Sequence, residues 1–290
     1  MSPRPDGPPP EAPPAPQPLA APVIDSHTHL NLHDRYLHGD HAPDADQLLG
    51  MAAAVGVTKV VQIGCDVEYA RASVAMARTR PDVVVGVSVH PNDAARIRER
   101  DGADALDAAI DEIASLAVDD VVHAVGETGL DYYRTSEDLH ASQQHAFRRH
   151  IELAKELDKA LVIHDRDSHE DVIRVLEEQG PPDRVVFHCF SGDAAMAEYC
   201  AARGWYLSFA GPITYKANEA LRAALDVVPD NLLLVETDAP YLTPVPMRGK
   251  PNASYLMPHT VRFMADRRGR DEAELCALLY DNAQRAFGPW

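Results

Sequence analysis

From residue 23 onward, apolar runs rich in β-branched residues alternate with stretches of helical periodicity. The runs are Val23 to Leu30, Lys59 to Cys65, Val83 to His90, Val121 to Glu127, Ala160 to His164, Arg184 to Phe190, Tyr206 to Gly211 and Leu232 to Asp238. Their nearly continuous Val/Ile/Leu character predicts strands buried on both faces, and strands alternating with helices imply a parallel sheet with right-handed crossovers. The helical stretches are Asp46 to Val55, Val67 to Arg78, Ala103 to Leu116, Ser136 to Leu157, His169 to Gln179, Asp193 to Arg203 and Asn218 to Val227. Asp193, just after Ser191-Gly192, and Asp44 or Asp46 read as N-terminal caps or first-turn acids. Such a series of β/α units closes most economically into an α/β TIM (β/α)8 barrel; a doubly wound open sheet is the alternative. After the last strand a Pro-rich segment, Ala239 to Pro258, leads into helices at about His259 to Arg267 and Asp271 to Phe287.

Length and composition fit one barrel domain spanning 23–290: the chain has 290 residues, 46% of them hydrophobic, enough for a sizeable core. Residues 1–22 are dense in Pro and Ala and lack the apolar core of a signal peptide, so they read as a disordered, partly polyproline II tail that the fold can dispense with. No run is long enough for a membrane span. Cys65, Cys189, Cys200 and Cys276 are scattered, which fits a reducing cytoplasm. The net charge of −18 excludes broad electrostatic adhesion to duplex nucleic acid or an anionic membrane. It leaves room for a polyanionic substrate where bound cations and a few placed Arg and Lys reverse the local field.

A barrel of this kind carries its active site at the C-terminal strand ends. Those ends read His27 and His29 on the first strand, His90 on the third, Glu127 on the fourth, His164 on the fifth, His188 on the sixth and Asp238 on the eighth. In a strand, i and i+2 point the same way, so His27 and His29 form a chelating pair. Charged groups converging on one buried mouth are costly unless paired or bound to metal. The set exceeds the three protein ligands of a single catalytic zinc, and two metals sharing a carboxylate use it better. The natural partition puts His27, His29 and Asp238 on one ion, His164 and His188 on the other, and Glu127 between them. Two such ions lower the pKa of a water held between them, so the reaction class is metal-assisted hydrolysis. Asp238 also offers itself as acceptor of the water's proton.

Four motifs carry a family resemblance: Glu127-Thr128-Gly129-Leu130-Asp131-Tyr132-Tyr133, His164-Asp165-Arg166, His188-Cys189-Phe190-Ser191-Gly192, and Glu236-Thr237-Asp238-Ala239-Pro240-Tyr241-Leu242-Thr243-Pro244. Together they resemble the TatD family of metal-dependent deoxyribonucleases, from Ile24 to about Phe287. The resemblance implies an amidohydrolase-type TIM barrel, a divalent metal pair (usually magnesium, sometimes manganese or zinc), and phosphodiester hydrolysis, often from the 3′ end of single-stranded DNA. It implies the same six ligands, a monomer, and a place in DNA repair or nucleic-acid turnover. By resemblance His90, in Val89-His90-Pro91, contacts a phosphate oxygen rather than a metal. Arg166 and Lys216 are candidates to offset phosphate charge. Pro246-Met247-Arg248-Gly249-Lys250-Pro251-Asn252 resembles the family's Arg-Gly-Lys-x-Asn loop, which puts Arg248 near a phosphate. The family commonly continues Asn-Glu-Pro where this chain has Asn252-Ala253-Ser254, so the loop's grip on substrate is open. Tyr132, Tyr133 and Tyr241 are candidates to stack on bases, with packing the expected role of at least one. Cys189, by alternation, should point away from the ligands as a buried thiol.

Two other readings stand beside this one. Another metal-dependent hydrolase on the same scaffold would act on a lactone, an amide, a phosphotriester or an aminoacyl ester such as D-aminoacyl-tRNA. Many amidohydrolases bridge their metals with a carboxylated lysine on strand 4, whereas this chain offers Glu127. A noncatalytic barrel that binds a partner protein through its surface or tail is the remaining reading; the six filled ligand positions speak against it.

Overall fold

Eight parallel strands pair in sequence order: β1 (Val23–Thr28), β2 (Val57–Gly64), β3 (Val83–Val87), β4 (Val122–Asp131), β5 (Ala160–Arg166), β6 (Val185–Phe187), β7 (Tyr206–Phe209) and β8 (Leu233–Val235). This computed structural model describes residues 12–30 and 43–290. The seam between β8 and β1 closes at the C-terminal end. There Thr28 bridges Ala239 in parallel, the Asp238 N–H donates to His27 O at 2.9 Å and the His29 N–H to Ala239 O at 2.9 Å. The expected TIM barrel is therefore present, and the open doubly wound sheet is excluded.

The helices are α1 (Ala45–Ala54), α2 (Val67–Ala77), α3 (Pro91–Asp101), α4 (Ala103–Ala117), α5 (His140–Glu156), α6 (His169–Gln179), α7 (Ala194–Ala201), α8 (Glu219–Val227), α9 (Met257–Arg268) and α10 (Glu272–Phe287). Asp44 and Asp193 cap α1 and α7, each carboxylate accepting a backbone N–H of the first turn, so Asp44 rather than Asp46 is the cap. Helix α3 has no counterpart in the hydrophobic pattern. Its sequence, Pro91-Asn92-Asp93-Ala94-Ala95-Arg96-Ile97-Arg98, is too polar to show a stripe, and only a proline at the first helical position marks it.

Two apolar clusters result. One fills the barrel with Ile24, Val61, Ile63, Val84, Ala124, Val162, Val186 and Leu234, and α10 plugs its lower end with Ala286 and Phe287. The other lies between strands and helices. Among the described residues no helix is long and apolar enough to cross a membrane.

Residues 12–22 depart from the expected disorder; residues 1–11 lie outside the described residues. The strip lies extended against the barrel: Tyr255 Oη donates to Pro13 O at 2.8 Å, Arg262 donates to Gln17 O and Pro18 O, and Leu19 is buried with its N–H on Val55 O. Prolines lack N–H groups but keep their carbonyls, and Arg262 and Tyr255 supply the donors that a proline-rich strip cannot supply to itself.

Candidate metal centre

The polar groups at the mouth converge because the strands that carry them break their regular pairing there. Pairing of β1 with β2 shifts between Asp25 and Thr28, and pairing of β4 with β5 shifts between Val125 and Thr128. Such irregularities re-aim side chains, and His27 and Glu127 sit at them. Gly129 then lets β4 press on β5: its φ is +132°, and a Cβ there would lie 2.2 Å from His164 O, so no other residue fits. Cys189 and Asp238 hold left-handed backbone, with φ of 42° and 52°. Each conformation costs about 1 kcal/mol or more and must be held in place by its surroundings.

Glu127 is buried at the centre, and its two oxygens face different partners. Oε1 lies 3.9 Å from Nε2 of both His27 and His29, and Asp238 Oδ1 lies 3.7 and 3.4 Å from the same nitrogens. Oε2 lies 2.6 Å from His188 Nε2 and 3.2 Å from His164 Nδ1. The six expected ligands are thus brought together, with one oxygen of Glu127 toward His27 and His29 and the other toward His164 and His188. His90 joins them, with Nε2 3.9 Å from Glu127 Oε1.

Behind the histidines stand groups for which the sequence reading had no role. Glu236 Oε1 accepts from His188 Nδ1 at 3.2 Å and from the Cys189 N–H at 2.9 Å. Ile63 O accepts from His29 Nδ1 at 3.2 Å, and Asp131 Oδ2 lies 3.4 Å from His164 Nε2. These contacts orient rings toward the centre, as outer partners of metal-binding histidines do. Glu236 stands two residues before Asp238, so strand alternation was a signal for it; Asp131, in the same motif as Glu127, offered none. Asp25, also buried, accepts the Thr237 N–H and hydroxyl at 2.9 and 2.6 Å, tying β1 to the segment that carries Asp238. Burial pushes Asp25 up to about 7. Cys65 was missed too: its Sγ donates to Glu127 Oε1 at 3.2 Å. Cys189 is half-buried rather than buried, and burial of the thiol still pushes its pKa well up.

Burial and charge compete throughout the cluster. Burial opposes ionisation of Glu127, but His188 holds its carboxyl well below the usual range. Burial opposes a charge on His188 too, yet Glu127 and Glu236 hold it well above its ordinary value. His29 is raised in the same way, by Asp238 against its own burial. His27 goes the other way, lowered by burial and by neighbouring His188. Its ring is fully buried, stacks 3.9 Å from that of His188, and among the described residues has no hydrogen-bond partner on either nitrogen. Orphaned buried nitrogens in a mixed imidazole and carboxylate shell fit a divalent cation, which would meet the unpaired donors and relieve the crowding.

The substrate-side candidates separate. Arg166 lies 4.0 Å over the ring of Tyr133, which is 64% exposed, and Arg248 lies 4.4 Å over Tyr215. Tyr241, 39% exposed, stands edge-on to His29. Tyr132 is committed to packing: it stacks on His140 and donates to Asp171 Oδ2 at 2.7 Å. Lys216 is exposed and lines a shallow depression with Thr214, Arg222, Phe263, Asp266 and Arg267; among the described residues no hydrogen bond or ion pair joins it to the cluster. Asn252 is a loop pin, its Nδ2 donating to Thr237 O and Tyr241 O.

A β/α barrel whose mouth gathers five histidines around one buried carboxylate defines a metal-dependent hydrolase. The TatD related DNase family model matches residues 24–288, so the chain belongs to the TatD family. A Mycobacterium tuberculosis relative described as an uncharacterized metal-dependent hydrolase TatD is 42% identical over 274 residues, covering 92% of this chain and 98% of its own. A Cronobacter sakazakii relative named 3′-5′ ssDNA/RNA exonuclease TatD is 34% identical over 256 residues, covering 86% and 92%. The crystal structure of a TatD homologue from Escherichia coli K12 superposes with a TM-score of 0.80 at 25% identity, covering 91% of this chain and 97% of that one.

Proposed function

We propose that the chain hydrolyses phosphodiester bonds of single-stranded DNA from the 3′ end, using two divalent cations that Glu127 would help to hold. The observation that carries this reading is the division of one buried carboxylate between two sets of nitrogens. His27, His29 and Asp238 would hold one ion, His164 and His188 the other, and Glu127 both. When bound, the ions supply Lewis acidity toward a phosphoryl oxygen and acidify a bound water. Family resemblance favours magnesium, while an imidazole-rich shell also suits manganese or zinc.

The chain's own groups do the rest. Asp238 is the more open of the two ligand carboxylates, at 14% side-chain exposure against 7% for Glu127, so its Oδ1 is the better placed to take a proton from water. Arg166 and Arg248 would offset phosphate charge while stacked on tyrosines, and Tyr133 and Tyr241 present π-faces that any base can use. The name of the Cronobacter relative supports both the nucleic-acid substrate and the polarity.

The test is release of mononucleotides from 3′-labelled and 5′-labelled single-stranded DNA, with metal-stripped protein and then with magnesium, manganese or zinc. Metal-dependent loss of the 3′ label first is the expected result. No cleavage with any metal, in protein shown to bind two ions, would move the assignment to an aminoacyl-ester or small-molecule hydrolase.

A further inference from the structure

The strip ahead of β1 buries one side chain in three. Pro13 and Leu19 are buried and Pro16 is half-buried, while Ala12, Pro14, Ala15, Gln17, Pro18 and Ala20 are exposed. A polyproline II helix has three residues per turn, so positions 13, 16 and 19 fall along one of its edges. A strand would have buried alternate residues instead. The strip also spans the height of the barrel. Leu19 sits beside Val55 and Gly56 at the start of β2, and Pro13 meets Tyr255, whose neighbour Ser254 donates to Thr28 Oγ1 at 3.4 Å at the C-terminal end of β1. Six polyproline II steps cover about 19 Å, close to the roughly 17 Å of β1.

The face beneath the strip suits such a helix. A polyproline II segment makes no hydrogen bonds of its own, and its prolines offer carbonyls but no N–H groups. The barrel supplies donors: Tyr255 Oη to Pro13 O at 2.8 Å, and Arg262 Nη2 to Gln17 O at 3.0 Å and to Pro18 O at 2.8 Å. Glu272 fixes the Arg262 guanidinium, its Oε2 accepting from Nε at 2.9 Å, and its Oε1 accepts the Ala20 N–H at 2.9 Å. Where the prolines stop, the Leu19 N–H finds Val55 O at 2.9 Å. Leu19 rests over Gly56, whose φ is +94° and where a Cβ would come within 3.2 Å of the leucine Cβ. An aromatic side chain beside preset donors is a recurring means of recognising proline-rich ligands.

We propose that this groove is a polyproline II binding site for the pattern Pro-x-x-Pro-x-x-Leu. The chain's own strip occupies it in cis, and a separate proline-rich peptide of that pattern fills it once the cis strip is unseated. Leu19 lies just before β1, so the tether holds the strip at high effective concentration and a modest intrinsic affinity suffices. The groove is built on the outside of the barrel, and the proposal holds whatever bond is hydrolysed at the mouth.

The test uses the full chain with 13C-labelled valine and leucine methyls, Val55 being assigned by comparison with Val55→Ile, and a synthetic peptide of residues 12–22 as the probe. Leu19→Asp unseats the cis strip by placing a carboxylate in an apolar seat, and Pro16→Asp does so from the middle of the strip; either variant with parent-like circular dichroism serves. Peptide added up to about 5 mM should shift the Val55 methyl signals saturably in these variants and leave the parent, whose groove is filled, unchanged. Adding Arg262→Met should abolish the shift. A peptide with alanine at positions 13, 16 and 19 should bind at least about tenfold more weakly, and one with serine at positions 14, 15 and 17 as tightly as the original. No saturable shift in a folded variant, the same shift in the parent, or equal binding by the two altered peptides would overturn the proposal. Loss of folding in both variants would overturn it as well, because the strip would then belong to the folding unit and not be a ligand.

Discussion

At the residue scale, one oxygen of Glu127 faces His27 and His29 and the other faces His164 and His188, which is why the proposed function gives it to both ions. Replacing it with Ala, or Asp238 with Asn, should reduce hydrolysis to background while circular dichroism and melting temperature stay close to the parent, because in the proposed function both groups act through bound cations. Activity at the parent level in either purified variant would defeat the assignment. Glu236 acts one step further out, through His188. Glu236→Ala should weaken metal binding by about 10- to 100-fold, measured by titration calorimetry with manganese; unchanged affinity would mean that the ring needs no brace. The six candidate ligands were legible because each closes an apolar run. Glu236 was signalled only by its two-residue spacing from Asp238, and Asp131 and Cys65 were not legible, because what gives them a role is a contact made across to other strands.

At the scale of elements, the strip 12–22 and the polar helix α3 carry the differences from the sequence pattern. Burial of Leu19 together with the hydrogen bonds from Tyr255 and Arg262 is worth about 1–3 kcal/mol. Deleting residues 1–22 should therefore lower Tm by several degrees, contrary to expectation from composition; an unchanged melting curve would show that the contacts add nothing net. Helix α5 contributes His150, which holds Val89 at the end of β3. Burial lowers His150 from 6.5 to about 4. Between those pH values the unfolded chain binds a proton that the native chain refuses, so stability is full above 6.5 and falls as pH drops toward 4. The full effect is roughly 3 kcal/mol. Urea unfolding at about pH 7 and about pH 5 should show a loss that shrinks in His150→Gln, which keeps an acceptor for Val89 without titrating.

At the scale of the whole molecule, a chain of net charge −18 binds a polyanion only where its own field is locally reversed. Two phosphate contacts, at Arg166 and Arg248, predict that log KM for single-stranded DNA rises with log salt at a slope of about 1.4. A flat profile would point to a small uncharged substrate. The chain by itself determined the number of β/α units, their parallel order and the residues that end the strands, because hydrophobic periodicity and strand alternation are local properties. Only the tertiary structure decided how the barrel closes through Thr28 and Ala239, which oxygen of Glu127 faces which histidine, and which ring nitrogen of His29 and His188 is held from behind. Those outcomes depend on contacts between residues more than two hundred positions apart, on pairing irregularities at His27 and Glu127, and on backbone amides that no side-chain pattern records.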